Sequence, residues 1–73
     1  MIQFNLEKIL QDKNISIYRL AEDTSITYSA LHRIVNNKTN GIQFNTLEEI
    51  MNALDIKDFN EILEFIPEDS KEE

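Results

Sequence analysis

The sequence predicts an all-α domain of five short helices, and three observations carry that expectation. Apolar residues recur at helical spacing in five successive segments. Asn5, Ser16 and Thr27, all able to cap a helix, stand just before the first three of them. One glycine and one proline leave too little turn chemistry for a fold built from many tight turns. At 73 residues there is room for a single core. It is expected over residues 1–67, with 68–73 as an acidic, disordered tail.

The first helix is expected from Leu6 to about Lys13, with Leu6, Ile9 and Leu10 inward and Asn14 as the stop. Ile2 and Phe4, ahead of it, are available to close the core or an interface. The second runs from Ile17 to about Thr24 behind Ser16, with Leu20 and the small Ala21 facing in. After a short break at 24–26, Thr27 caps a third helix from Tyr28 to about Asn36. The polar loop Asn36 to Gly41 follows, and Gly41 is the residue suited to positive φ. The fourth helix, Phe44 to Leu54, shows the stripe Phe44, Leu47, Ile50, Met51, Leu54. The fifth opens at Lys57 or Asp58 and ends near Ile66, with Phe59, Ile62, Leu63 and Ile66 inward and Pro67 as terminator.

Several function classes drop out on composition. With no cysteine and one histidine, thiolate chemistry and a His-pair metal site are excluded, and no cofactor is expected. Glu48, Glu49, Asp55, Asp58, Glu61 and Glu64 read as solvated helix faces, with no nucleophile or metal cluster beside them, so no enzyme is expected. No apolar run is long enough to span a bilayer, the start lacks the pattern of a secretion signal, and a cytoplasmic protein without membrane contact is expected.

Charge is distributed unevenly. The chain carries 7 basic and 14 acidic residues, net −7, which as a whole disfavours nucleic acid. Residues 1–43, however, set Lys8, Lys13, Arg19, Arg33 and Lys38 against Glu7, Asp12, Glu22 and Asp23, a net of +1. Residues 44–73 set Lys57 and Lys71 against ten acids, a net of −8. No acid occurs between Thr24 and Leu47.

The third helix lies inside that acid-free window. At about 100° per residue, Tyr28, Ser29, His32, Arg33 and Asn36 share one face and Ala30, Leu31 and Ile34 the opposite one, with Val35 on the flank. An ordinary solvated face shows Glu and Lys. This one offers Arg for guanine, Asn for adenine or phosphate, and Ser for either kind of contact. Asn36, Asn37, Lys38, Thr39 and Asn40 in the loop can all bond phosphate oxygens.

These residues carry a resemblance. IYRLAEDTSITYSALHRIVN, Ile17 to Asn36, resembles the helix-turn-helix of the lambda-repressor-like (Cro/cI, XRE-type) family: Leu20, Ala21, Ile26, Leu31 and Ile34 at the pattern's apolar positions, then Asn36-Asn37-Lys38. FNTLEEIMNALDI resembles that family's fourth helix and the turn after it, so the likeness spans about residues 5–66. The resemblance implies a third helix in the major groove, with Tyr28, Ser29 and Arg33 facing bases. Thr27 and His32 would lie at the groove edge, and Asn36, Lys38 and Thr39 on phosphates. Two departures stand out. Ser25 holds the turn position where Gly is usual and positive φ is expected, at a cost of about 1 kcal/mol. Ile17 stands where many members have a phosphate-holding Gln.

Phe65 falls off the stripe of a fifth helix, about 240° from Phe59, and is expected to be exposed and available as a dimer contact. Two functions follow. One is a sequence-specific DNA-binding regulator, a homodimer repressing by occupying an operator in double-stranded DNA, with no residues left for a sensor domain. The other is a protein-interaction module of the same fold, an antirepressor, modulator or antitoxin that binds another regulatory protein.

Overall fold

The computed structural model describes residues 1–67 and arranges them as β1 (Ile2–Phe4), α1 (Leu6–Lys13), α2 (Ile17–Asp23), α3 (Tyr28–Val35), α4 (Phe44–Ala53), α5 (Phe59–Ile62) and β2 (Leu63–Phe65). The segment expected as an acidic tail, 68–73, lies outside the described residues. Each helix contributes one fully buried side chain to a common centre: Leu6, Leu20, Leu31, Ile50 and Ile62. Leu10, Ile34, Val35, Leu47, Leu54 and Ile56 complete the core. Val35, expected on the flank of its helix, is buried.

Three helices end in the same way. Asn14, Asn37 and Asp55 hold φ of 58°, 57° and 57°, the left-handed region. At each, two successive amides turn back onto the helix: Asn14 and Ile15 onto Gln11 and Leu10, Asn37 and Lys38 onto Ile34 and Arg33, Asp55 and Ile56 onto Asn52 and Met51. These are Schellman motifs without glycine, since Asn and Asp tolerate this region better than other side chains. Gly41, expected to supply positive φ, does not; Asn37 makes the turn instead.

The expectation of an all-α fold needs one correction. α5 is a single turn, opened by Asp58 accepting from the amide of Asn60 at 2.9 Å, and the chain becomes extended at Leu63 (φ −120°, ψ 147°). Leu63–Phe65 pairs antiparallel with Ile2–Phe4, aligning Ile2 with Phe65, Gln3 with Glu64 and Phe4 with Leu63. Both triplets read apolar–polar–apolar, the period of a strand. The ladder is sealed beyond its ends: Met1 and Ile66 exchange two backbone bonds of 2.7 Å, and the Asn5 amide donates to the Ile62 carbonyl at 2.9 Å.

The shorter α5 changes which apolar residues are inside. Phe59, expected inward, is 62% exposed, and Phe44, expected on the inner stripe of α4, is 88% exposed. Each is the first residue of its helix, one turn ahead of the positions that reach the core. Phe65 is exposed as expected, at 68%, but on a strand.

Candidate nucleic-acid interface

α2 packs on α3, and α1 and α4 brace the pair from either side. Ser16 and Thr27 cap α2 and α3, their hydroxyls accepting from the amides of Arg19 (3.0 Å) and Ala30 (3.2 Å). The turn between the helices is held by side chains. Thr24 Oγ1 donates to the Leu20 carbonyl at 2.9 Å and accepts from the Ile26 amide at 3.2 Å. Ser25 donates twice to the Glu49 carboxylate on α4, from its amide (2.8 Å) and its hydroxyl (2.7 Å). Ser25 does not take the positive φ expected of it. Glu49 is therefore not a plain solvated acid: the Ser25 hydroxyl, then the Ser25 amide, hold its carboxyl below the ordinary value of 4.5.

The turn presents the outer face of α3. Thr27, Tyr28, Ser29, His32, Arg33 and Asn36 are all exposed, while Leu31, Ile34 and Val35 are buried behind them. Two lines of side chains run along this face. Tyr28 and His32 stack with ring centroids 6.0 Å apart and planes 25° apart. Asn36 Nδ2 continues that line, donating to the His32 carbonyl at 2.9 Å and lying 3.2 Å from His32 Nδ1. Ser29 and Arg33 form the second line, and Ser29 has no partner among the described residues.

The end of α3 differs from the ends of α1 and α4. In those Schellman motifs the two residues brought together are apolar, Leu10 with Ile15 and Met51 with Ile56. In α3 they are Arg33 and Lys38, and Arg33 Nη2 reaches the Lys38 carbonyl at 3.4 Å. Two basic residues thus stand at the negative end of a helix, with no ion pair to either among the described residues. Arg19, by contrast, is paired with Asp23 at 3.4 Å.

Other expected ligands are engaged elsewhere. Asn37 cannot serve phosphate as placed, because its carboxamide bonds the backbone of Phe4 in both directions: Oδ1 accepts from the amide (2.7 Å) and Nδ2 donates to the carbonyl (3.2 Å). Thr39 is half-buried and its hydroxyl donates to the Gly41 carbonyl at 2.7 Å. Asn36 Oδ1 accepts from no donor among the described residues. Ile17 packs against the core, in keeping with its loss of any phosphate-holding role. Beside the His32–Asn36 line runs an open cleft of about 750 Å³, its far wall formed by Asn14, Ser16 and Arg19 at the α1–α2 junction. Sequence reasoning passed over Tyr18, an exposed aromatic on α2; its signal was a large ring next to a helix cap, off the inward stripe.

The chain thus presents a helix–turn–helix whose second helix is exposed, acid-free and rich in hydrogen-bonding side chains, and residues 5–68 match the family model described as a Cro/C1-type HTH DNA-binding domain. The chain belongs to the Cro/C1-type family. No curated protein and no solved structure matches it. As a Cro/C1-type domain, the chain is a DNA-binding transcriptional regulator, and its ligand is double-stranded DNA. The family is one of regulators and not typically of enzymes. In this Cro/C1-type domain the helix–turn–helix is α2, residues 24–27 and α3. No helix among the described residues is long and apolar enough to cross a membrane.

Proposed function

We propose that the protein is a sequence-specific repressor that inserts α3 in the major groove of an operator as a homodimer. The observation that carries this reading is the exposed, acid-free face of α3 that ends in Arg33 and Lys38, with no ion pair to either among the described residues. Arg33 reads guanine through O6 and N7, and Tyr28 and Ser29 read neighbouring base edges. Thr27, His32, Asn36 and Lys38 set the register on the sugar–phosphate backbone. Thr39 contributes there only if it gives up its bond to Gly41. A domain that only covers promoter DNA represses by excluding polymerase, the simplest action for one DNA-binding unit.

The dimer reading rests on β2. Because Met1–Ile66 is a hydrogen-bonded pair, alternation turns the backbone groups of Ile2, Phe4, Leu63 and Phe65 outward. Asn37 occupies those of Phe4, and the Phe59 carbonyl takes the Leu63 amide. The amide and carbonyl of Phe65, on the outer edge of β2, have no partner among the described residues. The Phe65 ring and the side chain of Ile2, directly opposite, are 68% and 69% exposed. An edge strand with an apolar face fits a second copy of itself, so Phe65 is the dimer contact.

Selection of bound fragments from randomised duplex DNA at low salt tests the function. Enrichment of one motif, as an inverted repeat, is the expected result. A folded protein that enriches nothing overturns the reading and leaves the interaction module, a partner of another regulatory protein.

A further inference from the structure

We infer that Asn37 is a positioning residue for DNA binding: its clamp on Phe4 holds the loop after α3 so that Lys38 meets the sugar–phosphate backbone. The inference rests on the DNA-binding reading of α3 and deepens it. A Schellman motif is frequently fastened by an apolar contact between the two residues that its longer bond brings together. At the end of α1 these are Leu10 and Ile15, at the end of α4 Met51 and Ile56, and all four are buried or packed against the core. At the end of α3 they are Arg33 and Lys38, both exposed. That motif has basic residues where the other two have their fastening.

The clamp supplies what is missing. Of the three left-handed residues at these helix ends, Asn14, Asn37 and Asp55, only Asn37 has a side-chain hydrogen bond among the described residues. Its Oδ1 accepts from the Phe4 amide at 2.7 Å and its Nδ2 donates to the Phe4 carbonyl at 3.2 Å. Two bonds in opposite directions fix the carboxamide in place and in orientation, where one bond would leave a pivot. Phe4 is a firm anchor: it lies in β1, is paired through the ladder with Leu63 of β2, and packs against the core. Asn37 is covalently next to Lys38, whose own amide donates to the Arg33 carbonyl at 2.8 Å. The Lys38 backbone is thus held by α3 on one side and, through Asn37, by β1 on the other. Only its side chain is left to be ordered on a phosphate. A loop ordered at the moment of binding costs affinity, and a loop held beforehand avoids that cost. The ladder far from α3 in sequence therefore serves DNA affinity as well as stability.

The test measures affinity for a duplex of arbitrary sequence, about 20 base pairs long, at about 50 mM salt, because a phosphate contact is sequence-independent. Fluorescence anisotropy is read at a temperature where circular dichroism shows every variant folded. Asn37→Gly removes the clamp and keeps the turn, since glycine accepts positive φ. It should bind about threefold more weakly than wild type. Lys38→Ala should bind about fivefold more weakly in the wild-type background. In the Asn37→Gly background the same change should cost under about twofold, because two residues that act as one unit do not add. A merely structural role for Asn37 lowers the melting temperature and leaves the affinity of the folded protein alone. Unchanged affinity in Asn37→Gly, or losses that multiply to about fifteenfold in the double variant, overturns the proposal and leaves the DNA reading standing. Lys38→Ala binding as wild type also overturns it, by removing the contact that Asn37 positions. A folded wild type that does not bind the duplex overturns the DNA reading and this proposal with it.

Discussion

The carboxamide of Asn37 pairs with both backbone groups of Phe4, as a neighbouring strand would. One residue thereby turns the chain at the end of α3, through its φ of 57°, and closes the outer edge of β1. The two roles separate by substitution. Asn37→Gly keeps the turn and loses the clamp, with an expected cost of about 1 kcal/mol. Asn37→Ala loses both, at about 2 kcal/mol. Urea unfolding of the two variants checks the order; equal losses would leave the clamp or the turn without a role.

Glu49 makes the helix–turn–helix sensitive to acid. Its carboxyl is held below the usual 4.5 in the folded chain by the Ser25 hydroxyl and amide. A depressed folded value means the contribution is present above the unfolded value and is lost as pH falls through the folded one. Glu49→Gln is therefore expected to melt below wild type at pH 7, with the gap closing as pH falls through the lowered titration of the folded Glu49 carboxyl. A gap that is constant with pH would detach Glu49 from the turn's stability.

Arg33 and Lys38 should fail in different ways. Arg33→Ala is expected to cost about 1–3 kcal/mol on the operator and to relax one guanine position. Lys38→Ala should weaken binding to all sequences alike and reduce the salt slope by about 1. Affinity measured against salt on operator and random duplex distinguishes them.

Phe65→Ala is expected to shift the protein toward monomer in sedimentation and to weaken binding to a two-half-site operator while sparing a single half-site. An unchanged mass distribution removes Phe65 from the interface.

Gly41 has open space where a Cβ would stand and no positive φ. Gly41→Ala should stabilise by about 0.4–1 kcal/mol, by restricting the unfolded chain. Thermal melting reads this directly.

Much of this was legible in the sequence because local chemistry agreed with global packing. Ser16 and Thr27 cap where their positions say they should, and the inward residues Leu6, Leu10, Leu20, Leu31, Ile34, Leu47, Ile50 and Ile62 are buried. The exposed face of α3 followed from one helical period. The misses have physical causes. Ile2-Gln3-Phe4 and Leu63-Glu64-Phe65 alternate as strands do, but three residues are too few to set that pattern apart, and their partnership spans the length of the described chain. The helical spacing of Phe59, Ile62, Leu63 and Ile66 is satisfied equally by one turn followed by a strand. Asn37 looked like a free phosphate ligand because its partner, Phe4, is 33 residues away. Ser25 was assigned strain because Glu49, 24 residues on, could not be seen to hold it.

The ladder joining residues 1–5 to 62–66 has a consequence for biosynthesis. During translation β1 emerges first and has no partner until residue 66 has left the ribosome. Loop closure over such a separation adds only slowly with length, so the delay is set by synthesis, at about 5–20 residues per second. α1 to α4 can gather meanwhile, but the strand that Asn37 grips is seated only at the end. The nascent chain therefore carries α3 before the ladder that Asn37 borders has closed.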